Sequence, residues 1–180
     1  MKYFLLLLKN ISDKQYKKVN KSHAPVKKTL KNISVLLLKT NRTISIAESC
    51  TGGLVSNLLT DIPGSSNFFK LSIIPYSNKF KTRLLKVSKN ILRNKGAASK
   101  EAAIIMSQNI RKLAKTSFGL GITGIAGPTG ATKTKPVGLV YIAIANDKKT
   151  TCKKFLFKGN RGDIKKQTAS AALALLLNNL

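Results

Sequence analysis

Metal-binding and disulfide-forming residues are scarce in this sequence. Its 180 residues include two cysteines, Cys50 and Cys152, a single histidine, His23, and no tryptophan. Two cysteines and one histidine cannot assemble a credible structural zinc site, so no metal is expected. No feature of the sequence demands a disulfide, which makes a reducing cytoplasm the expected location.

Acidic residues are also scarce, and the net charge is extreme. The chain has 33 lysines and arginines against 6 aspartates and glutamates, a formal net charge of +27. Such an excess is typical of proteins that bind nucleic acids or anionic membranes. Only five of these basic residues are arginines, and the basic residues are spread along the whole chain, whereas phosphate-reading surfaces favour arginine and stacking aromatics. We therefore attribute the charge to codon composition and expect no specific nucleic-acid partner, although the field would attract an anionic substrate.

Long hydrophobic runs are missing as well. No stretch is long enough to span a bilayer, and the apolar start at residues 1–9 is too short for an ordinary signal peptide and lacks a cleavage site. No membrane partner is expected. Residues 1–25 include a polar, lysine-rich stretch that ends near Pro25, so we interpret them as an N-terminal extension or linker and residues 26–180 as one domain.

What the chain does contain is a regular alternation of helical and β-rich segments. Leu30, Ile33 and Leu37 recur at helical spacing, whereas residues 43–47 alternate and are β-rich. The same exchange continues toward the C-terminus and predicts an α/β sandwich with a mostly parallel or mixed sheet. Helices are predicted over about 26–40, 54–59, 99–115 and 162–177, with shorter ones after Asn78 and between Ser88 and Gly96; strands are predicted over 43–47, 71–74, 119–123, 137–145 and 155–157.

The first candidate site follows the strand at 43–47. Ser49 stands in the segment Glu48-Ser49-Cys50-Thr51-Gly52-Gly53, directly before the next helix. The start of a helix offers free N–H groups and a positive dipole end, so a serine here can be a nucleophile with donors already aimed at an oxyanion. Spacing alone favours an ordinary strand-to-helix turn with a capping serine. The segment is not a P-loop, a GxGxxG loop or a GxSxG elbow.

A second loop, at residues 75–81, could supply the base that a serine nucleophile needs. Tyr76 is expected to end a strand, and Asn78 to cap a helix that carries Lys81 in its first turns. Because the only histidine stands in the linker, a desolvated lysine such as Lys81 is the obvious substitute. Composition alone favours the alternative that Lys81 is one of many solvated lysines.

A third loop, at residues 121–128, is rich in glycine. It contains Thr123 and Gly124, and its backbone donors suit a phosphate or an oxyanion. By itself such a loop is a weak indication of function.

The three loops belong to a series of short motifs along the chain: AESCTGG, TDIPGSS, PYSNKFK, GAASKEAA, ITGIAGPTG, KPVG and FKGNRGD. In order and spacing they resemble the CinA C-terminal domain family, from about Leu30 to Leu177. Members of that family act as nicotinamide-nucleotide amidases, which convert nicotinamide mononucleotide to nicotinate mononucleotide and ammonia. The resemblance implies a three-layer α/β/α fold, no cofactor, and a catalytic serine, tyrosine and lysine at Ser49, Tyr76 and Lys81.

The resemblance also implies a mechanism. Lys81, held neutral, would take the proton of Ser49, and the serine would attack the carboxamide carbon while nearby N–H groups hold the oxyanion. Tyr76 would orient Lys81 or relay a proton to the departing ammonia. Glu48 is expected to be a structural hydrogen-bond acceptor. The expected substrate contacts are Thr51, Gly52, Gly53, Asn78, Thr123, Gly124 and Arg161.

The chain departs from the family pattern at five positions. Thr129 and Ala131 replace an acidic residue and a glycine, Pro75 replaces a β-type residue, and Lys165 and Lys166 replace arginines of the last helix. Lysine keeps the charge but loses the bidentate fork of arginine, so these changes bear on phosphate affinity more than on the chemical step.

Two alternatives to a serine amidase stay open. One is a degenerate, non-catalytic basic protein that binds nucleic acid or nucleotides. The other is a thiol enzyme that uses Cys50, although adjacent side chains usually diverge and a packed, inert cysteine is the better interpretation. Assembly into a homo-oligomer is also left open.

Overall fold

The computed structural model describes residues 24–180. The apolar start and His23 lie outside the described residues. None of the helices within 24–180 is both long enough and apolar enough to cross a membrane. In chain order the elements are α1 (Ala24–Lys39), β1 (Ile44–Glu48), α2 (Leu54–Thr60), β2 (Phe69–Ile73), α3 (Asn78–Leu85), α4 (Lys89–Asn94), α5 (Lys100–Ala114), β3 (Phe118–Gly124), β4 (Leu139–Ala145), β5 (Thr150–Leu156) and α6 (Arg161–Leu177), with a short 3-10 helix at Ser65–Asn67 before β2.

The strands form one mixed sheet in the order β2-β1-β3-β4-β5. β1 pairs in parallel with β2 on one side and with β3 on the other. β3, β4 and β5 pair antiparallel to one another. The carboxyl ends of β1, β2 and β3 therefore lie at the same edge of the sheet, where ligands bind in open α/β folds.

Helices cover both faces of this sheet. Ile44 and Ile46 of β1 point into a large aliphatic core beneath α1, α2 and α6. Ala47, on the opposite face of the same strand, joins a smaller core beneath α5, against which α3 and α4 also pack. The expected three-layer α/β/α sandwich with a mixed sheet is confirmed.

The edge strand β5 is longer than the sequence pattern predicts. It begins at Thr150, whereas the apolar pattern predicts a strand only over 155–157. Lys153 and Lys154 are exposed and interrupt the alternation of apolar and polar residues. The two lysines break the strand pattern in the sequence, which is why the sequence predicts too short a strand. In the structure, lysines on an edge strand discourage pairing with a strand of another chain.

α5 lies unusually close to β3, and two glycines make this possible. A Cβ added to Gly121 would lie 2.4 Å from the carbonyl oxygen of Ala103 and 2.6 Å from the backbone nitrogen of Ser107. A Cβ on Gly119 would lie 2.0 Å from the carbonyl oxygen of Ser107. Because these neighbours are backbone atoms of a helix, no side chain can move aside to make room.

Serine side chains cap α3, α4 and α5. Ser88 and Ser99 are the expected caps of α4 and α5. The expected cap of α3, Asn78, is wrong by one position: Ser77 has the extended backbone of a cap, its hydroxyl accepts the Phe80 N–H, and Asn78 is the first helical residue. Asn78, an expected substrate contact, is exposed in the first turn of α3.

Candidate active site

Ser49 lies directly after β1, at a tight turn from strand to helix. All five residues of β1 are buried, and Ser49 itself is 7% exposed. The Gly52 N–H donates to the Ser49 carbonyl at 3.1 Å, and Gly52 and Gly53 both have positive φ, 62° and 91°. Glycine adopts such angles without strain, so this pair lets the chain reverse and enter α2 while Ser49 stays at the sheet edge.

Glu48 fixes the same turn from inside the protein. Its carboxylate is fully buried and accepts the N–H groups of Gly53, Val55 and Ser56 at 3.0, 3.2 and 2.8 Å, together with the hydroxyl of Ser56. An ionised carboxylate stabilises the positive end of a helix, and these bonds use the free donors at the start of α2. The expectation that Glu48 is a structural acceptor is confirmed.

Lys81 reaches Ser49 from α3. Its side chain is buried, with 1% exposure, and its Nζ lies 3.0 Å from Ser49 Oγ, 2.9 Å from the Pro75 carbonyl oxygen and 3.1 Å from the Tyr76 carbonyl oxygen. Burial lowers the pKa of Lys81, because removing the ammonium from water disfavours the charged form. The structure thus brings together the serine and the lysine that the sequence places 32 residues apart.

The two carbonyl contacts decide how a neutral Lys81 is oriented. A carbonyl oxygen can only accept a hydrogen bond, so the two N–H bonds of a neutral amine go to Pro75 and Tyr76. The remaining lone pair then faces Ser49 Oγ, and the serine hydroxyl becomes the donor. The departure at Pro75 leaves this arrangement intact, since the contact uses its backbone carbonyl.

Tyr76 lies in the loop after β2 rather than at the end of the strand, and it is 57% exposed. Its hydroxyl accepts a hydrogen bond from the guanidinium of Arg161 at 2.7 Å. Arg161, the first residue of α6, also donates to the Gly127 carbonyl oxygen at 2.7 Å. Arg161 therefore ties the glycine loop after β3 to Tyr76, and Tyr76 is tied to Lys81 through its carbonyl.

The expected oxyanion donors need correction. The Gly52 N–H is used within the turn, and the Gly53 N–H is used by Glu48. Within residues 24–180 no backbone carbonyl accepts the N–H groups of Cys50 and Thr51, and the Cys50 N–H contacts only its own thiol. These two groups are the donors left to meet an oxyanion beside Ser49.

The sequence profile of the CinA C-terminal domain matches residues 26–180. This chain belongs to the CinA C-terminal domain family.

Two curated relatives and one solved structure illustrate the relationship. The chain is 51% identical over 145 residues to a CinA-like protein of Endomicrobium trichonymphae, a match that covers 81% of this chain and 34% of that protein. It is 46% identical over 145 residues to a CinA-like protein of Syntrophus aciditrophicus, covering 80% and 34%. It therefore spans about a third of the length of these relatives. The crystal structure of the competence/damage inducible protein CihA from Agrobacterium tumefaciens is 31% identical, with a TM-score of 0.83 over 86% of this chain and 96% of that one.

In this CinA C-terminal domain the structure limits what three of the expected substrate contacts can offer to a ligand. Thr123 is buried and its hydroxyl donates to the Ala97 carbonyl oxygen at 2.8 Å. A Cβ on Gly124 would lie 2.6 Å from the Leu139 carbonyl oxygen, so this glycine permits close packing between β3 and β4. The hydroxyl of Thr51 is fully buried and has no hydrogen-bond partner within the described residues, so only the Thr51 backbone can face a ligand. The side chains of Thr51 and Thr123 lie inside the fold, and Gly124 is half-buried at the end of β3.

Lys165 lies beside the turn that carries Ser49, and Lys135 has a structural role away from that turn. The Lys165 Nζ would lie 3.4 Å from a Cβ on Gly52, so this half-buried ammonium sits over the nucleophile turn. Lys135 donates to the carbonyl oxygens of Lys95 and Ala98, and so fastens the loop before β4 to the start of α5. The KPVG motif contains Lys135, and that motif is the signal that could have indicated a structural role.

Among residues 24–180 no three His, Cys, Asp or Glu side chains come together where they could hold a metal ion. Cys50 is buried beside Ser49, and burial raises the pKa of its thiol to about 12. A thiol with so high a pKa is neutral at physiological pH, and the neutral thiol is a poor nucleophile.

The first testable prediction concerns Cys50. Cys50→Ala should change the turnover of an active enzyme by less than about threefold, because the buried sulfur serves packing rather than chemistry. Iodoacetamide at neutral pH should leave activity intact. The measurement is activity with time of alkylation, with Cys152→Ala as a background that leaves Cys50 as the sole cysteine. Inactivation that follows modification of Cys50 one-to-one would establish the thiol mechanism instead.

Proposed function

We propose that this CinA-family chain is an amidase that hydrolyses the carboxamide of nicotinamide mononucleotide, with Ser49 as nucleophile and Lys81 as base. The observation that carries the proposal is the 3.0 Å contact between Lys81 Nζ and Ser49 Oγ, two side chains that are both buried. A serine needs an adjacent base, and a desolvated lysine can serve at a pH where an exposed lysine cannot.

The proposed reaction has two steps, acylation of Ser49 and hydrolysis of the resulting ester. Ser49 Oγ attacks the carboxamide carbon as its proton passes to Lys81 Nζ, and the oxyanion is held by the N–H groups of Cys50 and Thr51. Lys81 then gives that proton to the departing nitrogen, the C–N bond breaks, and ammonia leaves an ester on Ser49. Water attacks the ester, Lys81 takes its proton and returns it to Ser49 Oγ, and nicotinate mononucleotide is released.

The two roles considered for Tyr76 are not equally supported. Its hydroxyl is directed to Arg161, and its contact with Lys81 is through the backbone carbonyl. A side chain so placed orients the loop that positions the base, whereas a relay would need its hydroxyl at the departing nitrogen. We therefore assign Tyr76 the orienting role.

The cations around the site support a substrate that carries a phosphate. Arg161 and Lys165 lie on α6, at the rim of the turn that carries Ser49. Within the described residues the Lys165 ammonium has no hydrogen-bond acceptor, so an anion there would supply the partner that the fold does not. Lys166 is exposed on the same helix and adds to the field.

The non-catalytic alternative receives less support from this geometry. A chain drifting without selection for activity would not be expected to keep a buried lysine in register with a serine, since an unpaired buried lysine is costly. Here the lysine is buried, oriented by two carbonyls and aimed at Ser49. A cytoplasmic location, a small-molecule substrate and the absence of a specific nucleic-acid partner belong to the same proposal.

The decisive experiment is an assay of ammonia release by the purified chain. Nicotinamide mononucleotide should be deamidated, and nicotinamide riboside, which lacks the phosphate, should react with a higher KM because it cannot use Arg161 or Lys165. A folded protein that releases no ammonia from either compound would rule out the proposed function. Equal KM values for the two compounds would rule out the phosphate contact.

The pH dependence is a second prediction. Burial lowers the pKa of Lys81, so its neutral form is reached at lower pH than for an exposed lysine. Only the neutral form accepts the serine proton, so kcat/KM should rise as pH increases through that lowered pKa and level off above it. Initial rates from about pH 6 to about pH 10, with circular dichroism as a control for folding, provide the test. A rate that falls over this range in the folded protein would contradict a lysine base.

A further inference from the structure

A groove of about 520 Å³ lies between α3 and α4, apart from the Ser49 site. The buried face of α3 carries Lys81 and Leu85, whereas the groove is formed by residues on other faces of that helix. This size falls within the range of small-molecule pockets, about 300 to 1,000 Å³. Its walls include Asn78, Lys79 and Arg83 from α3, and Lys89, Leu92 and Arg93 from α4.

The charge of the groove is one-sided. Four of its side chains are cationic, and no acidic residue lines it. Two of the five arginines in the chain, Arg83 and Arg93, meet there. Neither guanidinium makes a hydrogen bond or ion pair with any residue of the described range 24–180. Like charges held together without a counter-charge repel, and an anion in the groove would relieve that repulsion.

A second basic groove shows that a high density of lysine does not by itself produce this arrangement. It lies near the turn between β4 and β5 and contains Arg111, Lys148 and Lys149. It also contains the carboxylate of Asp147, and Arg111 already donates to the Ser117 carbonyl oxygen at 3.1 Å. The Asp147 carboxylate therefore offsets part of the positive charge of this second groove. The Arg111 guanidinium already has a hydrogen-bond acceptor within residues 24–180, unlike those of Arg83 and Arg93.

We propose that the groove between α3 and α4 binds the phosphate groups of a small polyphosphorylated ligand of about the size of a nucleoside triphosphate. Each guanidinium can bind a phosphate group through two parallel hydrogen bonds. Two arginines and two lysines together provide enough positive charge for several phosphate groups rather than one. Leu92 supplies an apolar wall for the rest of the ligand. This site is separate from the proposed amidase chemistry and does not depend on it.

The test compares two double variants of equal net charge by isothermal titration calorimetry on the full chain. Adenosine triphosphate without metal and inorganic tripolyphosphate are the probes. Arg83→Ala/Arg93→Ala should weaken binding of both probes by about tenfold or more, because both forks are removed. Lys148→Ala/Lys149→Ala removes the same charge from the second groove and should change affinity by less than about twofold, since distant exposed charges are screened.

Three outcomes would overturn the proposal. Equal losses in the two double variants would show attraction by net charge alone. Unchanged binding in Arg83→Ala/Arg93→Ala, with folding verified by circular dichroism, would place the ligand elsewhere. Binding of a single-stranded oligonucleotide that depends on Arg83 and Arg93, without binding of either small probe, would identify a polynucleotide surface instead.

Discussion

Replacing either Ser49 or Lys81 by alanine is expected to lower the turnover of nicotinamide mononucleotide by about three orders of magnitude or more, and the double variant should be barely worse than either single one. The two side chains are in contact at 3.0 Å and act as one unit, so the loss of either leaves the other without a function. Rates of ammonia release by the three variants test this. Losses that multiply in the double variant would show that the two residues act independently.

Lys81→Arg separates the base from the charge. A guanidinium stays protonated at any working pH, so this variant should be as inactive as Lys81→Ala. Lys81→Met retains much of the volume without the amine and controls for the cavity that alanine would leave. Lys86→Arg, an exposed lysine just after α3, is the matched control and should keep normal activity. A folded Lys81→Arg protein with near-normal turnover would show that Lys81 is not the base.

A large loss of stability is expected for Gly121→Ala. The new Cβ would lie 2.4 Å from the Ala103 carbonyl oxygen, closer than real Cβ atoms approach, so α5 must move away from β3. Overpacking of a core costs about 1–3 kcal/mol, and a contact with rigid backbone should cost about 3 kcal/mol or more of the free energy of unfolding. Urea denaturation followed by circular dichroism measures the change.

Gly162→Ala is the matched control for that substitution. Gly162 lies in the first turn of α6, where a Cβ would meet only the side-chain oxygen of Asn160, at 3.2 Å. Alanine is the better helix former, so this variant should stay within about 1 kcal/mol of the wild type. If Gly121→Ala proved no less stable than Gly162→Ala, the close packing of α5 on β3 would be refuted.

The order of elements could be predicted from the sequence because each depends on local patterns. Apolar spacing at Leu30, Ile33 and Leu37 shows a helix whatever lies around it. The meeting of Ser49 and Lys81 was also within reach, since both follow parallel strands whose carboxyl ends share one edge of the sheet. The resemblance to a known family added the roles of these two residues, which spacing alone does not provide.

What the sequence could not show is which partner each polar group takes. Gly53 looks like an oxyanion donor until Glu48 is found to accept its N–H, and Thr123 looks like a ligand contact until its hydroxyl is found on Ala97. From the sequence, Lys165 is only a lysine at a position where the family has arginine. The structure places its ammonium beside Gly52, in the turn that carries Ser49. The partner of each polar group depends on which donors and acceptors the fold brings close to it. The periodicity of apolar and polar residues carries no information about those distances.

The proposed catalytic groups and the proposed substrate-binding groups come from different parts of the chain. Ser49 and Lys81 both come from the segment 44–85, a continuous β-α-β-α unit, and so do the carbonyls that orient the lysine. The groups proposed to recognise the substrate, Arg161 and Lys165, come from α6, more than a hundred residues after Ser49 in the chain. A substitution at Lys165 can therefore alter which amide is accepted while Ser49 and Lys81 stay in place, whereas a substitution at Arg161 also releases Tyr76, whose carbonyl orients the base.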